Sequence, residues 1–185
     1  MKIYLLHGFN VSDGGKGSID KIIKPLQSVG HEIVELDYGN WNRLRVRLAN
    51  KPLANIIAKL VEPGSVLIGH SNGACIAQMA AMAGARINQL ILINPALDSD
   101  SPMPNGIRCD VCYSPDDKVV ELSRWIPWSP WGNMGRVGST SGGINHNLED
   151  ITGNEIGHSS AFSEPLFHHH LINAVERAGT ALEPS

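Results

Sequence analysis

The sequence lacks the surplus of positive charge that nucleic-acid binding requires. Its 185 residues include 15 basic and 18 acidic side chains, which leaves a net charge of -3 and no basic stripe. Because neutralising phosphates takes clustered Lys and Arg, we expect no nucleic-acid partner. Long apolar runs are also missing: the longest span a handful of residues, against the roughly 20 needed to cross a bilayer. We therefore expect no membrane span.

Cysteine is scarce, with only Cys75, Cys109 and Cys112 in the chain. Three thiols do not form a disulfide framework in a chain of this size. Cys109 and Cys112 have C-x-x-C spacing, but no second pair and no His pair at ligand spacing accompanies them, so we expect no metal. On a strand, an offset of three places the two thiols on opposite faces of the sheet. We interpret all three as small core residues of a protein in a reducing compartment.

The first eight residues, 1–8, contain only four consecutive apolar positions, which is too short for a signal-peptide core. We interpret this segment as the first core strand, and we expect a cytoplasmic protein. Apolar residues make up 42% of the chain and charged residues 18%, an ordinary composition for a globular protein. This length and composition predict a single domain spanning residues 1–185.

Short apolar strands alternate with amphipathic helices along the chain. The predicted strands are Ile3–Leu6, Glu32–Tyr38, Ser65–Ile68, Gln89–Ile93 and Arg108–Tyr113. The predicted helices are Ile19–Val29, Leu44–Leu60 with an interruption at Pro52, Asn72–Ala83 and Glu164–Ala178. This alternation predicts a three-layer α/β/α sandwich with a mostly parallel sheet. The segment 122–148 is rich in Trp, Pro, Gly and Ser, and one more strand is predicted near Met134–Val137.

The motif with the clearest chemistry is Gly69-His70-Ser71-Asn72-Gly73, which fits G-x-S-x-G. The bare pentapeptide is common by chance, but here it follows a buried strand and begins a helix, the setting of a nucleophile elbow. The small residues Gly69 and Gly73 leave room for the strained turn that exposes the serine. The amide of Asn72 would face the oxygen that becomes negative during acyl transfer. The alternative is an ordinary βα turn with Ser71 as helix N-cap.

A second motif, His7-Gly8-Phe9-Asn10, ends the first predicted strand. A strand that ends in His-Gly, followed some sixty residues later by G-x-S-x-G, resembles the α/β-hydrolase superfamily. The resemblance implies that the amide of Phe9 supplies the other oxyanion-hole donor and that Gly8 lets the backbone approach the substrate. The alternative is a plain loop glycine.

The segment 113–120 is similar to the acid loop of that family. Asp117 fits the alignment better, with Asp116 as the alternative and Asp98 and Asp100 as outside candidates. The acid accepts a hydrogen bond from the Nδ1–H of a histidine and fixes its tautomer.

The histidine of such a site follows the serine and the acid along the chain, an order that both His146 and His158 obey. His158 lies just before the closing helix, where the family places its histidine, so His158 is favoured and His146 is the alternative. Consecutive His168, His169 and His170 would face three directions on a helix and cannot form one metal site.

The resemblance implies a small, lidless serine hydrolase that cleaves carboxylic esters through an acyl-enzyme, without cofactor or metal, and acts on a small-molecule ester or acyl substrate. A thioesterase or amidase with the same residues is the alternative among enzymes. A hydrolase-like binding scaffold without turnover is the alternative outside them. Trp125 and Trp128 are candidates for the wall of an apolar substrate pocket. The oligomeric state stays open.

Overall fold

The computed structural model describes residues 1–8, 17–39, 43–123, 129 and 131–180, without the side chains of residues 43–47, 123, 178 and 180. Six strands are present: β1 (Lys2–Leu6), β2 (Glu32–Glu35), β3 (Val66–His70), β4 (Gln89–Ile93), β5 (Arg108–Tyr113) and β6 (Ile144–Asn147). The helices are α1 (Ile23–Ser28), α2 (Arg43–Leu60), α3 (Asn72–Met82), α4 (Lys118–Ser123), α5 (Met134–Val137), α6 (Leu148–Thr152) and α7 (Pro165–Thr180). Two 3₁₀ turns, Ile19–Ile22 and Ser160–Ser163, precede α1 and α7.

The six strands form one sheet in the order β2-β1-β3-β4-β5-β6, and every pair is parallel. The predicted α/β/α sandwich is therefore confirmed. Each parallel strand ends at the same edge of its sheet, and the loops after those ends are where open α/β sheets bind ligands. Ser71 follows β3 and Asn94 follows β4, so this edge holds the candidate site.

Helices cover both faces of the sheet. Alternate strand residues point to opposite sides, so Tyr4 and Leu6 pack with α2 and α3, while Ile3 and Leu5 pack with α1, α6 and α7. Cys109 lies in the first of these cores and Cys112 in the second, and all three cysteines carry free, buried thiols. The predicted placement of the two thiols on opposite faces is confirmed.

The prediction of a strand at Met134–Val137 was wrong, since these residues form the short helix α5. The sixth strand is instead Ile144–Asn147, at the edge of the sheet. An edge strand is covered on one side only, and this one is partly or fully exposed along its length, so it has no apolar run. Its polar sequence therefore concealed it.

The predicted interruption at Pro52 is absent, because α2 runs continuously through it. Proline removes one helical hydrogen bond, which would have reached the carbonyl of Leu48. Both Pro52 and Leu48 are exposed, so water can satisfy that carbonyl. The helix therefore tolerates the proline.

Candidate active site

Ser71 lies at a strained turn between β3 and α3. Its backbone has φ 55° and ψ -119°, a conformation that a residue with a Cβ rarely adopts. Its amide donates to the carbonyl of Ile93 at 3.0 Å, which fastens the turn to the neighbouring strand. The Ser71 side chain makes no capping hydrogen bond to α3. This geometry matches a nucleophile elbow rather than an ordinary N-cap.

Two glycines make the turn possible by close packing. A Cβ on Gly69 would lie 2.6 Å from the Cα of Ala74, and one on Gly73 would lie 2.3 Å from the carbonyl oxygen of His7. Real side chains do not approach backbone that closely. Both glycine positions of the motif are thus required by contact between β1, β3 and α3.

Asn72 begins α3, so its backbone N–H belongs to the first helical turn and has no partner within the helix. Its fully buried side chain joins three other segments. Asn72 Oδ1 accepts from Asn50 Nδ2 at 3.0 Å and from Trp131 Nε1 at 3.2 Å, and Asn72 Nδ2 lies 3.5 Å from the Tyr38 hydroxyl. These contacts hold the Asn72 side chain, and with it the first turn of α3, in place beside Ser71.

Tyr38 holds the end of β1 from the other side. Its hydroxyl lies 2.8 Å from the carbonyl oxygen of His7 and 2.9 Å from that of Gly8, and its ring stacks on His7 with centroids 4.3 Å apart. Burial raises the pKa of Tyr38, so it remains a neutral phenol here. Gly8 faces the elbow, since a Cβ there would lie 3.2 Å from the Ser71 Cβ. Phe9 lies outside the described residues, and its predicted role stays a prediction.

His158 and Asp117 form a close pair. His158 Nδ1 lies 2.7 Å from Asp117 Oδ2, and the Asp117 carboxylate is fully buried. Asp117 Oδ1 accepts from the amide of Val120 at 3.0 Å in the first turn of α4. Since the carboxylate accepts, His158 Nδ1 carries a proton and a neutral imidazole has its free lone pair on Nε2. Asp116, the alternative acid, is exposed.

Asn94 was not predicted as a site residue, although it follows β4 at the same sheet edge. Its Nδ2 lies 3.1 Å from Asp117 Oδ2, the oxygen that also accepts from His158. The residue is fully buried, and its φ of 42° is left-handed. Its place at the end of a buried strand next to β3 was the available signal.

The His158 ring lies beside the elbow, with its centroid 4.7 Å from that of His70, the residue before Ser71. Within the described part of the chain, no hydrogen bond joins the Ser71 hydroxyl to His158. Such contacts are often long in ligand-free sites and shorten when substrate binds. Among the described residues, the His158 ring therefore packs against the residue before Ser71 and makes no hydrogen bond to the Ser71 hydroxyl.

The alternative histidine, His146, lies elsewhere. Its Nε2 is 2.8 Å from Oδ1 of the buried Asp110, whose carboxylate also accepts from Arg108 and Gln89. Burial opposes ionisation of Asp110, but hydrogen bonds from His146, Arg108 and Gln89 lower its pKa. Asp98 and Asp100 are exposed and do not contact His158. The contact pattern groups His158, and not His146, with the elbow.

A surface cavity of about 410 Å³ adjoins His158. Its lining comprises Asp116, Lys118, Val119, Glu155, Gly157 and His158. This volume lies within the range of small-molecule sites. Trp125 and Trp128, the predicted pocket walls, lie outside the described residues.

Two further features are absent from the parts of the chain that the structure describes. No group of three or more metal-ligating side chains is placed to hold an ion. No described helix combines the length and apolar character needed to cross a bilayer.

Sequence comparison leaves the family open, since no protein-family model and no curated protein matches the chain significantly. Solved structures of other proteins are similar to this chain in fold. The α/β hydrolase domain-containing protein 10 from mouse aligns with a TM-score of 0.64 at 16% identity, over 98% of this chain and 90% of its own. An esterase from Exiguobacterium antarcticum aligns with a TM-score of 0.65 at 12% identity, over 95% and 92% of the two chains.

An extracellular α/β-hydrolase from a Paenibacillus species aligns with a TM-score of 0.61 at 13% identity, over 95% of this chain and 98% of its own. Likenesses at such low identity establish architecture and leave chemistry to the site. The resemblance noted in the sequence is thus confirmed at the level of structure: this chain has the α/β-hydrolase fold.

Proposed function

We propose that this chain is a serine hydrolase that cleaves carboxylic esters through an acyl-enzyme intermediate. The observation that carries the proposal is the pair of partly exposed His158 and fully buried Asp117, joined at 2.7 Å, with the His158 ring against His70 and next to the strained turn of Ser71. A serine, a histidine that takes its proton and a carboxylate that orients the histidine carry out acyl transfer on several unrelated folds. The esterase with the same fold agrees with this assignment.

In the first half-reaction, Ser71 Oγ attacks the ester carbonyl carbon while His158 Nε2 takes the hydroxyl proton. The imidazolium that forms is stabilised by Asp117, which Asn94 and the Val120 amide hold in place. Collapse of the tetrahedral intermediate breaks the bond to the alcohol oxygen, which receives the proton from His158. The alcohol departs and the acyl group stays on Ser71.

In the second half-reaction, His158 removes a proton from water, and the resulting hydroxide attacks the acyl-enzyme. The carboxylic acid leaves and Ser71 recovers its proton. In both steps the oxyanion would be held by the amides of Asn72 and Phe9, the latter being implied by the family resemblance. Loss of one such donor typically costs about 3 kcal/mol of barrier stabilisation.

A fluorophosphonate probe tests the proposal directly, because it reacts covalently with an activated serine. We expect the wild-type chain to be labelled on Ser71 and Ser71→Ala to be unlabelled, with equal melting temperatures. p-Nitrophenyl esters from acetate to decanoate, with matched thioesters and anilides, then separate esterase from thioesterase and amidase activity. A folded wild-type chain that stays unlabelled while a control hydrolase reacts would favour a binding scaffold.

A further inference from the structure

The residue before the nucleophile, His70, is buried and makes one polar contact. It is 3% exposed, and its ring packs against Phe162 edge-on, with centroids 4.9 Å apart. His70 Nε2 lies 2.9 Å from the backbone carbonyl oxygen of His158. A carbonyl can only accept, so Nε2 is the protonated nitrogen of His70 and donates to the loop that carries His158.

The other ring nitrogen of His70 has no hydrogen-bond partner among the described residues, although it is buried. It faces the end of β1, since a Cβ on Gly8 would lie 3.3 Å from His70 Nδ1. Burial lowers the pKa of His70 to about 3, with the neighbouring His158 contributing to the same direction. An uncharged ring cannot act as a proton carrier near neutral pH, so the single hydrogen bond is its main polar contribution.

We propose that His70 is a positioning residue that holds the His158 loop over the elbow through its Nε2 hydrogen bond. The inference rests on the proposed function, because the position of His158 matters for catalysis only if His158 is the base. His158 is then fixed at two points: Asp117 orients the ring through Nδ1, and His70 anchors the backbone. Since His70 and Ser71 are adjacent in sequence, the anchor and the nucleophile share one turn. The hydrogen bond thereby limits how far the imidazole can move from the hydroxyl.

A matched pair of substitutions separates this role from packing. In His70→Gln the side-chain amide can reach the carbonyl of His158 and donate to it. In His70→Met a side chain of similar length and volume carries no donor. Glutamine buries an extra polar amide and methionine leaves the His158 carbonyl without its donor, so the stability of each variant is measured beside its activity. A purely structural role therefore predicts that activity follows stability, whereas positioning predicts higher activity in the glutamine variant.

The measurement is kcat and KM for p-nitrophenyl butyrate, with melting temperatures for both variants. We expect His70→Met to lower kcat by about 10- to 100-fold at nearly unchanged KM, the scale expected when a reacting group is misplaced by about 1 Å. His70→Gln should restore most of kcat. Equal kcat in the two folded variants would overturn the proposal.

Nitrogen NMR of the wild-type imidazoles tests the same contact without turnover and without a variant that has to fold. We expect His70 to be the neutral Nε2–H tautomer from pH 5 to 8. A neutral Nδ1–H tautomer would refute the hydrogen bond, because Nε2 would then carry no proton to donate. A wild-type chain inert to fluorophosphonate would overturn the serine hydrolase assignment and with it the catalytic meaning of the anchor, whereas the tautomer reports on the contact alone.

Discussion

Asn94 donates its side-chain amide to Asp117, with 3.1 Å between Asn94 Nδ2 and Asp117 Oδ2. Both residues are fully buried. The carboxylate therefore has an amide donor on the same oxygen that faces His158, and this donor holds the carboxylate in its orientation towards His158. The backbone of Asn94 is left-handed, a conformation that asparagine adopts more readily than most residues.

Replacement of Asn94 separates its hydrogen bond from its backbone. Asn94→Gly and Asn94→Ala both remove the donor to Asp117, and we expect both to lower kcat. Alanine is also strained at φ 42°, so Asn94→Ala should be less stable than Asn94→Gly by about 1 kcal/mol. Urea denaturation and esterase assays of the pair provide the check. Glycine and alanine variants of equal stability would show that the backbone conformation carries no cost.

Substitution of the two adjacent acids distinguishes their roles. Asp117→Asn removes the carboxylate that accepts from His158 Nδ1. We expect kcat to fall by about 10²- to 10⁴-fold, because the imidazole is no longer held in the Nδ1–H tautomer and the imidazolium has no counter-charge. Asp116→Asn, at an exposed position, should leave kcat within a small factor of wild type. Initial rates with p-nitrophenyl butyrate decide between them, with circular dichroism to verify folding. A larger loss in Asp116→Asn would transfer the role to Asp116.

The two candidate histidines should respond differently to alanine substitution. His158→Ala should prevent fluorophosphonate labelling of Ser71, since the base is gone. His146→Ala removes one donor to buried Asp110 and should cost about 1–3 kcal/mol of unfolding free energy while labelling continues. Labelling time courses and urea denaturation measure the two effects. Loss of labelling in a folded His146→Ala chain would contradict the assignment of His158.

Stability should depend on pH through His70. Its pKa is lowered by burial from 6.5 to about 3 in the folded state, so the unfolded chain binds the proton more tightly. The contribution of neutral His70 is complete above pH 6.5 and is lost as pH falls towards 3, at up to about 1.4 kcal/mol per pH unit.

The matched comparison for this titration is urea denaturation of wild type and His70→Gln at pH 7.5 and pH 5. We expect wild type to lose more unfolding free energy than the variant between these values. Burial also lowers the pKa of His31 and His170, but both residues are present in the two proteins, so the difference isolates His70. Parallel losses in the two chains would show that His70 already binds a proton in the folded state.

The sequence predicted the central strands because buried strands consist mostly of apolar residues. Gln89–Ile93 and Arg108–Tyr113 were predicted with the observed bounds. Ile144–Asn147 escaped because an exposed edge strand needs no such run. The helix at α2 was found but its continuity through Pro52 was not, since the exposure of that turn depends on how α2 packs against α3.

The candidate site was predictable where a local motif marks it, as at Ser71, and where chain order narrows the choice, as at His158. Asn94 and Tyr38 were not recognised as site residues, because each acts through a partner more than twenty positions away in sequence. A single sequence does not reveal which polar side chains meet in space. The chemical roles of Ser71, Asp117 and His158 stay predictions until the labelling experiment is done.

The Asn72 side chain has a consequence for any attempt to re-engineer this molecule. One amide group connects the elbow to α2 through Asn50, to the segment after β2 through Tyr38, and to the loop at Trp131. Swapping any of these three segments for a foreign one would also remove a side-chain contact that supports the turn at Ser71. Loop exchange in this scaffold should therefore carry the partner of Asn72 along with the graft.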